Sequence, residues 1–114
     1  LRRRYLVVDP VWLVAEDLAL LIGEADQGAT VVVATDAMAA LALLDEMPDL
    51  RAAFLNLPFA TARDSGLLER VAVLGGLYVS LRATVEALPG HPPPLVLDLP
   101  FSGESVAGML RQLR

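Results

Sequence analysis

Apolar runs of strand length alternate along this chain with segments whose apolar residues recur at helical spacing. "YLVVD" (5–9), "ATVVVA" (29–34), "LRAAFLNL" (50–57), "GGLYVS" (75–80) and "LVLD" (95–98) are short aliphatic runs. Such runs suit strands buried on both faces, as in a parallel sheet. Val11, Val14, Ala15, Leu18, Leu21 and Ile22 share one helical face, with Gly23 as an end signal. "AMAALALLDEM" predicts a second helix, capped by Thr35 or Asp36 and stopped before Pro48. The polar stretch "ATARDSG", in which Asp64 and Ser65 read as cap residues, leads into "LLERVAVL", a third helix. Residues 81–88 predict a short fourth helix, and "PGHPPP" (89–94) is excluded from helix and central strand because proline lacks a donor and fixes φ. Ser102 caps a last helix whose Val106, Met109, Leu110 and Leu113 fall at i, i+3, i+4 and i+7.

Five strands and five helices in strict alternation predict a flavodoxin-like (βα)5 fold, a doubly wound, five-stranded parallel sheet of order 2-1-3-4-5. The 114 residues form a single domain, 1–114. In such sheets chemistry collects at the carboxyl ends of the strands, beside the switch point between strands one and three. That selects Asp9 and Pro10, residues 54–56, Ser80 and Leu81, and Asp98 and Leu99.

Composition sharpens this picture. Apolar residues make up 55% and charged residues 20%, enough apolar surface for a packed core. The chain has no cysteine, which excludes disulfides and thiol chemistry and suits a cytoplasmic setting. No apolar run reaches the length of a membrane span, and "LRRRYLVV" reads as a first strand with a solvated basic flank rather than a signal peptide. A net charge of −5 argues against a general nucleic-acid surface.

The pieces "VVDPVWLVAEDLALLI", "PDLRAAFLNLP", "LYVSL" and "LVLDLPFSGESV", in that order and spacing, resemble a response-regulator receiver domain of two-component signalling. The resemblance covers residues 5–113. In that family an acidic pair ends the first strand and holds Mg²⁺. A third-strand aspartate, four residues before a turn proline, accepts a phosphoryl group. A Ser or Thr ends the fourth strand, and a lysine precedes "PF". Carried over, Asp9 matches the first acid and Pro10 the second, Phe54 stands at the phosphoacceptor position, Ser80 is retained, and Leu99 replaces the lysine. Val96 stands where the family has an aromatic switch residue. The resemblance also implies a cis bond before Pro100.

Neither proline nor phenylalanine can ligate a metal or accept phosphate. The acid, its metal partner and its counter-cation are lost together, which avoids an unpaired charge in the cleft and lets the cleft fill. The expectation is a degenerate, phosphorylation-independent pseudo-receiver without metal or cofactor, acting by protein–protein interaction and not as an enzyme. Asn56 is set aside as a substitute acceptor because it spoils the spacing to Pro58. Asp9 is expected to accept hydrogen bonds from backbone or from Ser80, and Asp98 to form a surface salt bridge. Ser80 and the sole histidine, His91, form no expected catalytic pair. Trp12 and Phe59 either contact a partner or pack over the lost site.

The resemblance places the partner surface on the fourth helix, fifth strand and fifth helix, with Arg82, Glu86, Val96, Glu104, Arg111 and Arg114 on it, and a homodimer as one form of contact. A second function class is small-molecule or nucleotide sensing in the charge-depleted cleft. Against nucleotide binding, "DPVW" is not a glycine-rich phosphate loop.

Overall fold

A computed structural model describes residues 3–83 and 86–113. Its elements run β1 (Arg4–Val8), α1 (Trp12–Ala25), β2 (Thr30–Ala34), α2 (Ala37–Leu44), β3 (Ala52–Leu55), α3 (Phe59–Asp64), α4 (Leu67–Val73), β4 (Leu77–Ser80), β5 (Leu95–Val96) and α5 (Gly103–Gln112). The strands form one sheet of order β2-β1-β3-β4-β5, and every pairing is parallel. This is the flavodoxin-like order that the alternation predicts.

Each central strand sends alternate side chains to opposite faces, and both faces are covered. Tyr5, Val7, Ala52, Phe54 and Val79 pack with the inner faces of α1 and α5, including Leu18, Ile22, Val106 and Met109. Leu6, Val8, Ala53 and Leu55 pack on the other side with Ala40 and Leu44 of α2 and Leu67 and Val71 of α4. The register aligns Val8, Leu55, Ser80 and Val96 as the last paired row. One step beyond that row, the N–H groups of Asp9, Asn56, Leu81 and Leu97 still donate across the sheet. These four residues form the rim where a functional site belongs.

Helix ends follow local chemistry. Asp36, one of the two expected caps, takes the Ala39 N–H at 2.8 Å. α1 runs past Gly23 to Ala25, because the Asp26 N–H still bonds the Ile22 carbonyl and a single helical glycine costs only about 1 kcal/mol. Ser102 and Ser105 cap α5 reciprocally: the Ser102 Oγ accepts from the Ser105 N–H and the Ser105 Oγ from the Ser102 N–H. Ser102→Ala is expected to cost about 1 kcal/mol, read as a lower urea midpoint with an unchanged slope.

The strict alternation fails in two places. The crossover from β3 to β4 carries two short helices, because Gly66 turns the chain at φ 84° after α3. Ser65 does act at this junction, accepting the Leu67 N–H at 3.3 Å, while Asp64 pairs with Arg63. The expected helix over 81–88 is absent from its described residues, 81–83 and 86–88. Ser80 explains its failure to start. Its hydroxyl accepts the Arg82 N–H at 3.0 Å and donates to the Arg82 carbonyl at 2.6 Å, and the second bond diverts that carbonyl from a helical ladder. Pro89 then stops a segment too short to be helical by itself.

Candidate functional site

The carboxyl rim of the sheet gathers the residues singled out in the sequence, but not as a filled cleft. Phe54 is fully buried, two rows below the rim, between Val7 and Val79. Its ring lies 6.3 Å from that of Tyr5 at a 56° tilt, within the core under α1 and α5. Pro10, by contrast, is exposed, and Leu99 is 45% exposed. So Phe54 alone makes the site apolar by packing, whereas Pro10 and Leu99 remove ligating groups without filling anything. The bond between Leu99 and Pro100 is cis.

Asp9 is the one buried charge of the rim, 1% exposed. Its Oδ1 accepts the Val11 N–H and its Oδ2 accepts the Asn56 Nδ2–H, both at 2.8 Å. The first contact explains how α1 begins without a capping side chain of its own: Val11 is its N-cap, and Asp9 supplies the anion two residues upstream. Asn56 uses its other amide atom as well, its Oδ1 accepting the Arg82 Nε–H at 2.9 Å. A continuous polar chain therefore runs from Arg82 through Asn56 to Asp9 and the start of α1. The carboxylate is satisfied by neutral donors, with a cation one residue further out. A metal ion would have to displace Asn56 and find further oxygen ligands, and no cluster of three His, Cys, Asp or Glu exists among the described residues.

Asp9 thus bonds backbone, as expected, but Asn56 rather than Ser80. Ser80 is buried and committed to Arg82. Its hydroxyl is not held by any imidazole, as His91 lies in the loop before β5. Asp98 is exposed, outside the two-residue β5, and no salt bridge holds it among the described residues. Asn56, selected with the strand ends but set aside as an acceptor, bridges the site, and Arg82 is the site residue that the sequence reading placed elsewhere. Arg82 was assigned to the partner surface, and its guanidinium instead faces the cleft. The only advance signal was position, since both lie at the ends of strands.

The expected partner face also changes. Its fourth helix is missing from the described residues, and β5 is short. Glu104 and Arg111 are exposed on α5, Glu86 is exposed in the loop, and Val96 is half-buried; Arg114 lies outside the described residues. Met109, Leu110 and Leu113 are core. A different apolar surface stands out. Val11, Trp12 and Leu13 are consecutive and exposed, at 55%, 51% and 73%, beside the rim at the start of α1. Phe59 is half-buried, packing into the α2–α4 side of the core with Arg63 over its ring.

No protein-family model matches this chain, and no curated protein does. Solved structures do. A CheY-like response regulator receiver domain from Methanospirillum hungatei JF-1 superposes with a TM-score of 0.73 at 16% identity, over 98% of this chain and 93% of that one. The chemotaxis protein CheY4 of Vibrio cholerae gives 0.69 at 19% identity over the full length of both chains. A structure described as adenylate cyclase from Rhodopirellula baltica gives 0.75 at 14% identity, over 99% of this chain and 87% of that one. At these identities the likeness is one of fold: the chain has the CheY-like receiver fold. No described helix is long and apolar enough to cross a membrane.

Proposed function

We propose that this chain is a degenerate receiver domain that signals through protein contact, without phosphorylation and without catalysis. The observation that carries this reading is Phe54, an aromatic ring locked into the core at the position where the resemblance calls for an ionised nucleophile. The rest of the rim supports it. Asp9 has spent both oxygens on Val11 and Asn56, and Arg82 is held by Asn56. Against catalysis, Ser80 is tied to backbone.

Three consecutive exposed apolar residues on a helix are a liability unless something covers them. We therefore place the protein contact at Val11, Trp12 and Leu13 rather than on the face whose expected helix is absent among the described residues. A second copy of this chain is one such partner. Sedimentation equilibrium of the parent and of Trp12→Ser distinguishes the cases: a homodimer dissociates in the variant, while a monomeric parent leaves a different protein as partner.

The reading is tested directly with Mg²⁺ and acetyl phosphate, followed by intact-mass measurement, and with beryllofluoride followed by fluorine NMR. The mass is expected to stay unchanged, with no bound-fluoride resonance. Stoichiometric phosphorylation would overturn the proposal.

A further inference from the structure

The outer face of α1 has no covering element. Trp12, Leu13, Glu16, Asp17, Leu20 and Glu24 are all exposed, Leu13 at 73% and Leu20 at 63%, while Ala15, Leu18 and Ile22 turn into the core. Positions 13, 16, 17, 20 and 24 stand at i, i+3, i+4, i+7 and i+11, so they form one stripe along the helix. Its two leucines lie about 10 Å apart along the axis, with Glu16 and Asp17 between them. The stripe carries three acids, and α1 contains no lysine or arginine. Among the described residues, none of the three is held in an ion pair or a side-chain hydrogen bond. Arg3, at the far end of the helix, is bound to Asp26.

A partner cannot cover Leu13 and Leu20 without also covering Glu16 and Asp17. A carboxylate taken out of water without a counter-charge costs more than burying a leucine returns. The occupant must therefore bring cations as well as apolar side chains. Nucleic acid and anionic lipid carry the wrong sign. A second copy of this chain fits poorly too. Stacked on its twin across a two-fold axis through the middle of the face, α1 sets Glu16 and Asp17 against the same pair.

We propose that the outer face of α1 docks a basic amphipathic helix of another protein, whose apolar residues at i and i+7 meet Leu13 and Leu20 and whose lysines or arginines meet Glu16, Asp17 and Glu24. A helix suits the stripe, because a leucine pair at i and i+7 matches a helical repeat and α1 offers no strand edge. This docking extends the contact at Val11, Trp12 and Leu13, on which it rests, along the helix to a positively charged partner.

Trp12 is the single tryptophan, so its emission reports on this face directly. The probe is a helical peptide of Leu, Ala and Lys, with leucine on one face and lysine flanking it. Its twin with Glu for Lys and a scrambled peptide of the same composition are the controls. The lysine peptide should shift the Trp12 emission to the blue and move the ¹H–¹⁵N amide signals of residues 12–24 saturably; the controls should not. Glu16→Lys with Asp17→Lys should weaken the lysine peptide about tenfold and bind the Glu twin instead. Both side chains are exposed and unbonded, so circular dichroism should match the parent. Leu20→Ser should weaken the lysine peptide about fivefold. Equal binding of the scrambled peptide, or no saturable response to the lysine peptide, would overturn the proposal. A parent dimer that Trp12→Ser dissociates, without response to the lysine peptide, would overturn the cationic partner and keep the contact at the helix start. Saturable shifts confined to residues outside α1 would overturn both.

Discussion

Phe54→Asp is expected to abolish cooperative folding rather than to restore a phosphorylation site. Phe54 is fully buried, and its ring packs against Tyr5 beneath α1 and α5. Truncating a buried Phe costs about 3–5 kcal/mol. A carboxylate in the same place adds several more, because no described donor faces that position and burying an unpaired charge is expensive. The sum rivals the whole stability of a small domain, about 5–15 kcal/mol. Far-UV circular dichroism with urea titration checks this: the variant should show no cooperative transition at neutral pH. Phe54→Leu keeps an apolar side chain and should cost less than the ~3–5 kcal/mol of full truncation, the lost ring volume leaving a smaller cavity. Adding Leu99→Lys should not rescue Phe54→Asp, since Leu99 is 45% exposed and a lysine there can stay in water. Pro10 would still lack its carboxylate. A folded Phe54→Asp protein that binds beryllofluoride would sink both the burial account and the reading built on it.

Asp9→Ala should be the second large effect, a loss of about 3 kcal/mol. The change leaves the Val11 N–H and the Asn56 amide without their shared acceptor and removes the anion at the start of α1. Hydrogen bonds to a charged group contribute about 1.5–3 kcal/mol each, and relaxation toward water should recover part of two such bonds. A double-mutant cycle with Asn56→Ala isolates the side-chain pair, with an expected coupling of about 1–2 kcal/mol. If Asp9→Ala is neutral, the polar chain is ornamental and the rim is more solvated than its geometry implies. The experiment also bears on Arg82, whose guanidinium, among the described residues, is held over the rim through Asn56. Loss of Asn56 should free it.

Much of this molecule was legible in its apolar pattern. Residues such as Leu6, Val7, Val8 and Phe54 sit in short runs without polar alternation, and only a sheet covered on both faces hides them all. Capping was also legible at Asp36 and Ser102, because a cap acts on backbone three residues away. The fourth helix was misread because the pattern of 81–88 is compatible with a helix. Its start was decided by Ser80, whose hydroxyl folds back on Arg82. The rim was half legible. Asp9, Phe54 and Asn56 were located by position along strands, but Asn56 was set aside on its spacing to Pro58, a test unrelated to its bridging role.

The sequence by itself determined the strands, the parallel sheet and the absence of an ionisable group at residue 54, since these follow from periodicity and residue identity along one segment. Only the tertiary structure decided that Phe54 packs under α1 and α5 beside Tyr5 while Pro10 and Leu99 remain at the surface. It alone joined Arg82 to Asp9 through Asn56 across three strand ends. Those outcomes depend on strand register and on which neighbours reach each group, and no local pattern contains that information.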